Sequence, residues 1–81
     1  MTSIVRTPGI VGGKARIEGT RWPVWIAYAR CLRGGETALQ VQLDYPWLSI
    51  EQITAAVEWA REHPDEAHDD WRRAQGDDET I

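Results

Sequence analysis

Through the first twenty residues the apolar positions are few, and glycine sets them off. Ile4, Val5, Ile10, Val11 and Ile17 lie among Pro8-Gly9, Gly12-Gly13 and Gly19. β-Branched residues between such turn formers predict short strands, and this length allows one small ribbon. A lone two-stranded ribbon is barely stable in water, so it must pack on helices or on another chain.

From Pro23 the period changes. In PVWIAYARCLRGG, Trp25, Tyr28, Ala29 and Leu32 fall at i, i+3, i+4 and i+7, one helical face, with Val24, Ala27 and Cys31 widening it. Pro23 suits the first helical position, and Gly34-Gly35 the end. Arg30 and Arg33 fall near the C-terminal end, where the helix dipole favours cations. The next stretch, ETALQVQLDYP, is ambiguous. Leu39, Val41, Leu43 and Tyr45 alternate with polar residues as in a strand. Thr37 and Gln40, however, have the spacing of a capping box, and Ala, Leu and Gln favour helix. The reading is a short helix over 38–45. In LSIEQITAAVEWAREH, Ser49 and Gln52 repeat the box. Ile50, Ile53, Val57 and Ala60 make a buried stripe, and Pro64 marks its end. After Pro64 the chain is acidic, with one weak apolar stripe of Ala67, Trp71 and Ala74, and disorder is expected from Gly76. This gives a domain over 1–63 and an acidic segment over 64–81. Two helices joined by a tight PWLS turn have helix-turn-helix spacing, and a plain three-helix unit fits the same pattern equally well.

Composition narrows the class. The chain has 81 residues and a single cysteine, Cys31, so no internal disulfide supports so small a core. The longest apolar run, Val24 to Ala29, is too short for a bilayer, and MTSIVRTPGI lacks a signal-peptide core. A soluble cytoplasmic protein is expected. The net charge of −4 is unevenly placed. Arg6, Lys14, Arg16, Arg21, Arg30 and Arg33 precede Glu36 with only Glu18 against them, and the remaining acids all follow. That asymmetry predicts two working ends with different partners.

No catalytic constellation emerges. PGIVGGKA fails as a phosphate-binding loop, because Pro8 stands where the first glycine belongs and Ala15 where the hydroxyl belongs. His63 and His68 among Asp65, Glu66, Asp69 and Asp70 read as a solvated acidic segment rather than a metal site. No enzyme, metal or cofactor is expected. Of the five tryptophans, Trp22, Trp25 and Trp59 are assigned to the core. Trp47 falls in the inter-helix turn, and Trp71 suits an interface.

Two blocks carry a family resemblance. Gly13, Lys14, Ile17, Gly19, Thr20, Arg21, Pro23 and Val24 form the first. Tyr45, Pro46, Leu48, Gln52, Ile53, Ala56, Val57, Trp59 and Ala60 form the second. Together they resemble the domain of unknown function 433 family over about residues 7 to 63. Gln42 departs from the pattern, since an apolar residue often stands there. The resemblance implies a homeodomain-like helix-turn-helix domain. With the residue pattern, the expected fold is mostly α, a small three-helix homeodomain-like helix-turn-helix bundle with a short N-terminal β-ribbon and a C-terminal acidic helical tail that the family pattern does not cover. It also implies an antitoxin of a type II toxin–antitoxin pair, neutralising a PIN-like ribonuclease toxin and binding operator DNA as a homodimer. The alternative is a protein-binding adaptor without DNA binding.

On this basis Lys14, Arg16 and Arg21 are the expected DNA contacts. Trp71, Arg72 and Arg73 are the expected toxin contacts, with Trp71 folding back onto the protein's own helices as the competing reading. The homodimer is expected on the ribbon and first helix. Glu51, Glu58 and Glu62 with only Arg61 make the last helix of the pair a poor match for a DNA groove.

Overall fold

A computed structural model describes residues 2–80, with side chains as far as residue 76. β1 (Ile4–Val5) and β2 (Arg16–Ile17) form the expected antiparallel ribbon, Ile4 opposite Ile17 and Val5 opposite Arg16. A 3-10 turn over Val11–Gly13 lies between them. After β2 the chain reverses at Gly19, whose φ of 85° a side chain rarely tolerates. The Thr20 hydroxyl donates to the Ile17 carbonyl at 2.8 Å and accepts from the Trp22 N–H at 3.0 Å. The returning strand then runs beside β2: Ile17 N donates to Trp22 O at 3.1 Å and Val24 N to Ala15 O at 2.8 Å.

That pairing alters the start of the first helix. Pro23 is bridged to Arg16 and stays extended, with φ −79° and ψ 141°. It therefore caps α1 (Val24–Ala27) instead of occupying its first turn. The helix then widens into a π turn over Tyr28–Arg33. The buried line is Val24 and Ala27, with Cys31, Tyr28 and Leu32 beside it, so the face centred on Trp25 is corrected. Backbone pairing pins Val24 inward and leaves Trp25 half-buried outside the core.

α2 (Ala38–Asp44) and α3 (Ile50–Glu62) form the helix-turn-helix pair, and both capping boxes are made. Gln40 N donates to Thr37 Oγ1 at 3.2 Å, and Gln52 N to Ser49 Oγ at 3.0 Å. The alternating pattern of α2 was not a strand. Val41 is buried, whereas Leu39 and Leu43 lie on the open side. Gln42, the departure from the family pattern, donates to the Leu48 carbonyl at 2.9 Å and so ties the turn to the helix. Leu48 itself is buried from within that turn.

α4 (Pro64–Thr80) replaces the expected tail. It packs on α1, on α3 and on the π turn, with Ala67 and Asp70 buried. No packing break therefore falls at residue 63. The first 63 residues and α4 share one core, and the fold is mostly helical with a short ribbon. The expectation of disorder beyond Gly76 concerns side chains that lie outside the described residues. Among the described residues, no helix is long and apolar enough to cross a membrane.

Candidate functional site

The three basic residues around the turn do not form one surface. Lys14 is buried, with its ammonium group above Gly12. Arg16 donates to the Thr20 carbonyl and the Thr7 hydroxyl, each at 2.9 Å, and so braces the turn. Only Arg21 is exposed, and it makes no hydrogen bond or ion pair among the described residues. A phosphate contact requires an accessible cation, so the fold leaves Arg21 for that role and occupies the other two.

The toxin-binding trio is also divided. Trp71 is half-buried against Tyr28, with ring centroids 6.3 Å apart, and lies 5.4 Å from His68. The Arg33 guanidinium sits 4.2 Å over its ring. The Tyr28 hydroxyl and His68 Nδ1 are 2.6 Å apart. Trp71 thus folds back onto the π turn, as the competing reading expected. Arg72 is exposed, and Arg73 forms an exposed pair with Asp69 at 3.7 Å. These two remain available to a partner.

Two clamps account for other charges. Arg6 reaches Glu66 at 3.1 Å, Asp70 at 3.2 Å and the Gly13 carbonyl at 3.2 Å. Asp70 also accepts from the Ala15 N–H at 3.1 Å. The ribbon is thereby fastened to α4. Arg30 on the π turn holds Glu36 at 2.7 Å and Asp44 at 2.6 Å. The bonds to Glu36 and then Asp44 raise the guanidinium's pKa, and the bond from Arg30 holds the Glu36 carboxyl below its ordinary range. This clamp joins the π turn to both ends of α2.

Cys31 opens into a cavity of about 230 Å³ with Ala38, Val57 and Arg61 on its walls. Burial, and then the nearby Glu36 charge, push the thiol's pKa up.

The surface that the sequence pattern concealed is on α2. Leu39 and Leu43, one turn apart, are 66% and 81% exposed, and Trp47 in the following turn is 61% exposed. The alternation of Leu39, Val41 and Leu43 with polar residues left the exposure of the two leucines unmarked in the sequence. The usable signal was the capping box: once 38–44 is a helix, burial of Val41 places Leu39 and Leu43 away from it. The exposed residues of α3, by contrast, are Glu51, Thr54, Glu58, Arg61 and Glu62. On the ribbon and first helix, where the dimer was expected, Ile17, Val24 and Ala27 are buried in the chain's own core, and Val5, Trp25 and Leu32 are half-buried.

Comparison with known proteins places this arrangement. No curated protein matches the chain. The sequence profile described as "Protein of unknown function (DUF433)" matches residues 4–60. A crystal structure of a DUF433 member protein from Anabaena variabilis is similar at 34% identity and a TM-score of 0.69, over 85% of this chain and 67% of that one. The match spans the ribbon, the first helix and the helix-turn-helix pair, and the chain belongs to the DUF433 family.

Proposed function

We propose that the chain works by binding protein, as the antitoxin of a toxin–antitoxin pair in the cytoplasm, with a PIN-like ribonuclease as its target. The single observation that carries a protein-binding reading is the exposure of Leu39 and Leu43 on one face of α2, with Trp47 exposed in the turn that follows. Large apolar side chains left together in water mark association surfaces. The toxin in this reading meets the outer side of α4, where Arg72 and Arg73 are exposed. An arginine there pairs with the carboxylates that such ribonucleases use to hold divalent metal. Trp71 is already engaged within the fold and serves to position those arginines.

Operator binding is the weaker part of the reading. The helix-turn-helix pair and exposed Arg21 favour it. The acidic outer side of α3 opposes entry of that helix into a groove lined by phosphates. The test is co-expression with a PIN-like ribonuclease encoded beside this chain, followed by co-purification and an RNA-cleavage assay. A stable complex with suppressed cleavage is expected, and the double variant Arg72→Ala, Arg73→Ala should weaken it. Full ribonuclease activity in the presence of excess chain refutes the reading.

A further inference from the structure

We propose that the open face of α2 is the contact for a second copy of this chain, joined about a two-fold axis with the two α2 helices antiparallel. The proposal rests on the reading of that face as a protein-binding surface, and it names the partner. Geometry is the first reason. In a two-fold contact residue i meets residue j, and j meets i. Leu39 and Leu43 are one helical turn apart on one face, so an antiparallel crossing sets Leu39 of each copy against Leu43 of the other. The face is complementary to itself without any change of shape.

Charge is the second reason. Each copy carries −4, and the exposed sides of α3 and α4 are mainly acidic. Two copies would repel each other across those faces. α2 carries a single charge, Asp44, which Arg30 neutralises at 2.6 Å, and Glu36 beside it is held by the same arginine. The π-turn clamp thus leaves the ends of the apolar face electrically quiet. A basic partner would gain more from α3 or α4 than from this face. An uncharged apolar surface suits an equally uncharged one, and the chain supplies it.

Area sets the strength. The two leucines and Trp47 leave open on the order of 400 Å² of apolar surface, within the range of the largest patch on a monomer. A standard stable interface takes about 800 Å² from each partner. The flanking Thr37, Gln40 and Asp44 are exposed and extend the contact, but it remains at the small end. A contact of that size makes a weak, reversible dimer.

The test is analytical ultracentrifugation of the full chain between about 1 and 200 µM. A monomer–dimer equilibrium is expected, and Leu43→Glu and Leu39→Lys should each weaken it on the order of 100-fold. Both residues are exposed, so circular dichroism should show the fold retained. An equimolar mixture of the two variants should dimerise again, because the antiparallel crossing brings the new charges together at one site and leaves the native leucine pair at the other. Raising salt should tighten the wild-type dimer by screening the repulsion between two acidic chains. A monomeric wild type, or a dimer untouched by Leu43→Glu, overturns the proposal. Failure of the mixture to recover overturns the antiparallel pairing. The antitoxin reading is tested separately, because its toxin contact is on α4: Leu43→Glu should still capture the ribonuclease, and loss of capture only in Arg72→Ala, Arg73→Ala keeps that reading whatever the outcome for the dimer.

Discussion

Asp70→Ala tests whether α4 is part of the fold or an appendage. The Asp70 carboxylate is almost fully buried and accepts from two donors, the Ala15 N–H at 3.1 Å and the Arg6 guanidinium at 3.2 Å. Ala15 is itself buried, so the substitution strands a backbone N–H that water cannot reach. An orphaned buried donor costs about 1–3 kcal/mol. The Arg6 contribution is smaller, because its side chain is 36% exposed and water replaces part of the lost attraction. About 1 kcal/mol is a fair allowance for that half-exposed pair. The total is about 2–4 kcal/mol, which lowers Tm by roughly 10–25 °C in a domain of this size. Asp70→Asn separates the two contributions. The amide oxygen still accepts from Ala15, and only the attraction for Arg6 is lost, so about a third to a half of the effect is expected. Urea unfolding followed by circular dichroism measures both variants, with the slope unchanged if unfolding stays two-state. A change below about 0.5 kcal/mol for Asp70→Ala would refute the argument, since that is the scale of an ordinary surface substitution.

Trp71→Ala should also destabilise the free protein, by about 1–3 kcal/mol, through loss of the Tyr28 and Arg33 contacts. An unchanged Tm would return Trp71 to the role of a partner's anchor. The Arg30–Glu36 bond predicts an acid effect. The carboxyl's folded pKa is depressed below 4.5, so its stabilisation is present above about pH 4.5 and is lost as pH falls through the lower folded value. Glu36→Gln should therefore be less stable than wild type at pH 7, and the gap should close as urea unfolding is repeated down toward pH 3. A gap independent of pH would show that the ion pair is not its cause.

The elements that could be read from the sequence are those whose signals are local. The two capping boxes fix where α2 and α3 begin, and Gly19-Thr20 fixes the reversal, because each depends on side chains within a few residues of the backbone they bind. The first helix lies where the sequence placed it, but its cap and buried face differ from expectation because its start depends on a distant pairing. Nothing near Pro23 announces that Val24 N will donate to Ala15 O, or that the helix will widen from Tyr28. The tail was expected to be helical, but its packing into the core was not legible, because its composition is that of a solvated segment. The residue that holds it to the fold is an aspartate, and an acid counts as a surface residue until its donors are known. The candidate site was hidden likewise: leucines in a small protein are assigned to the core, and only the helix phase of α2 places two of them in water.

The same reasoning changes the meaning of the charge asymmetry. A basic first third and an acidic remainder suggested two ends facing two partners. In the fold, much of that asymmetry is spent between the halves. Arg6 is bound to Glu66 and Asp70, Arg30 to Glu36 and Asp44, and Arg33 lies on Trp71. Lys14 and Arg16 are held within the ribbon and its turn. The cations of the N-terminal third are thus largely a means of fastening the ribbon and π turn to the helices, in a chain whose apolar core is small. Among the described residues, what stays unspent is mostly acid: Glu51, Glu58 and Glu62 on α3, and Asp65 on α4. Arg21 and Arg72 stay exposed beside these acids, so the outer surface carries both signs with acid in excess. The same contacts that fasten the ribbon and the π turn to the helices thus set which charges remain on the outside.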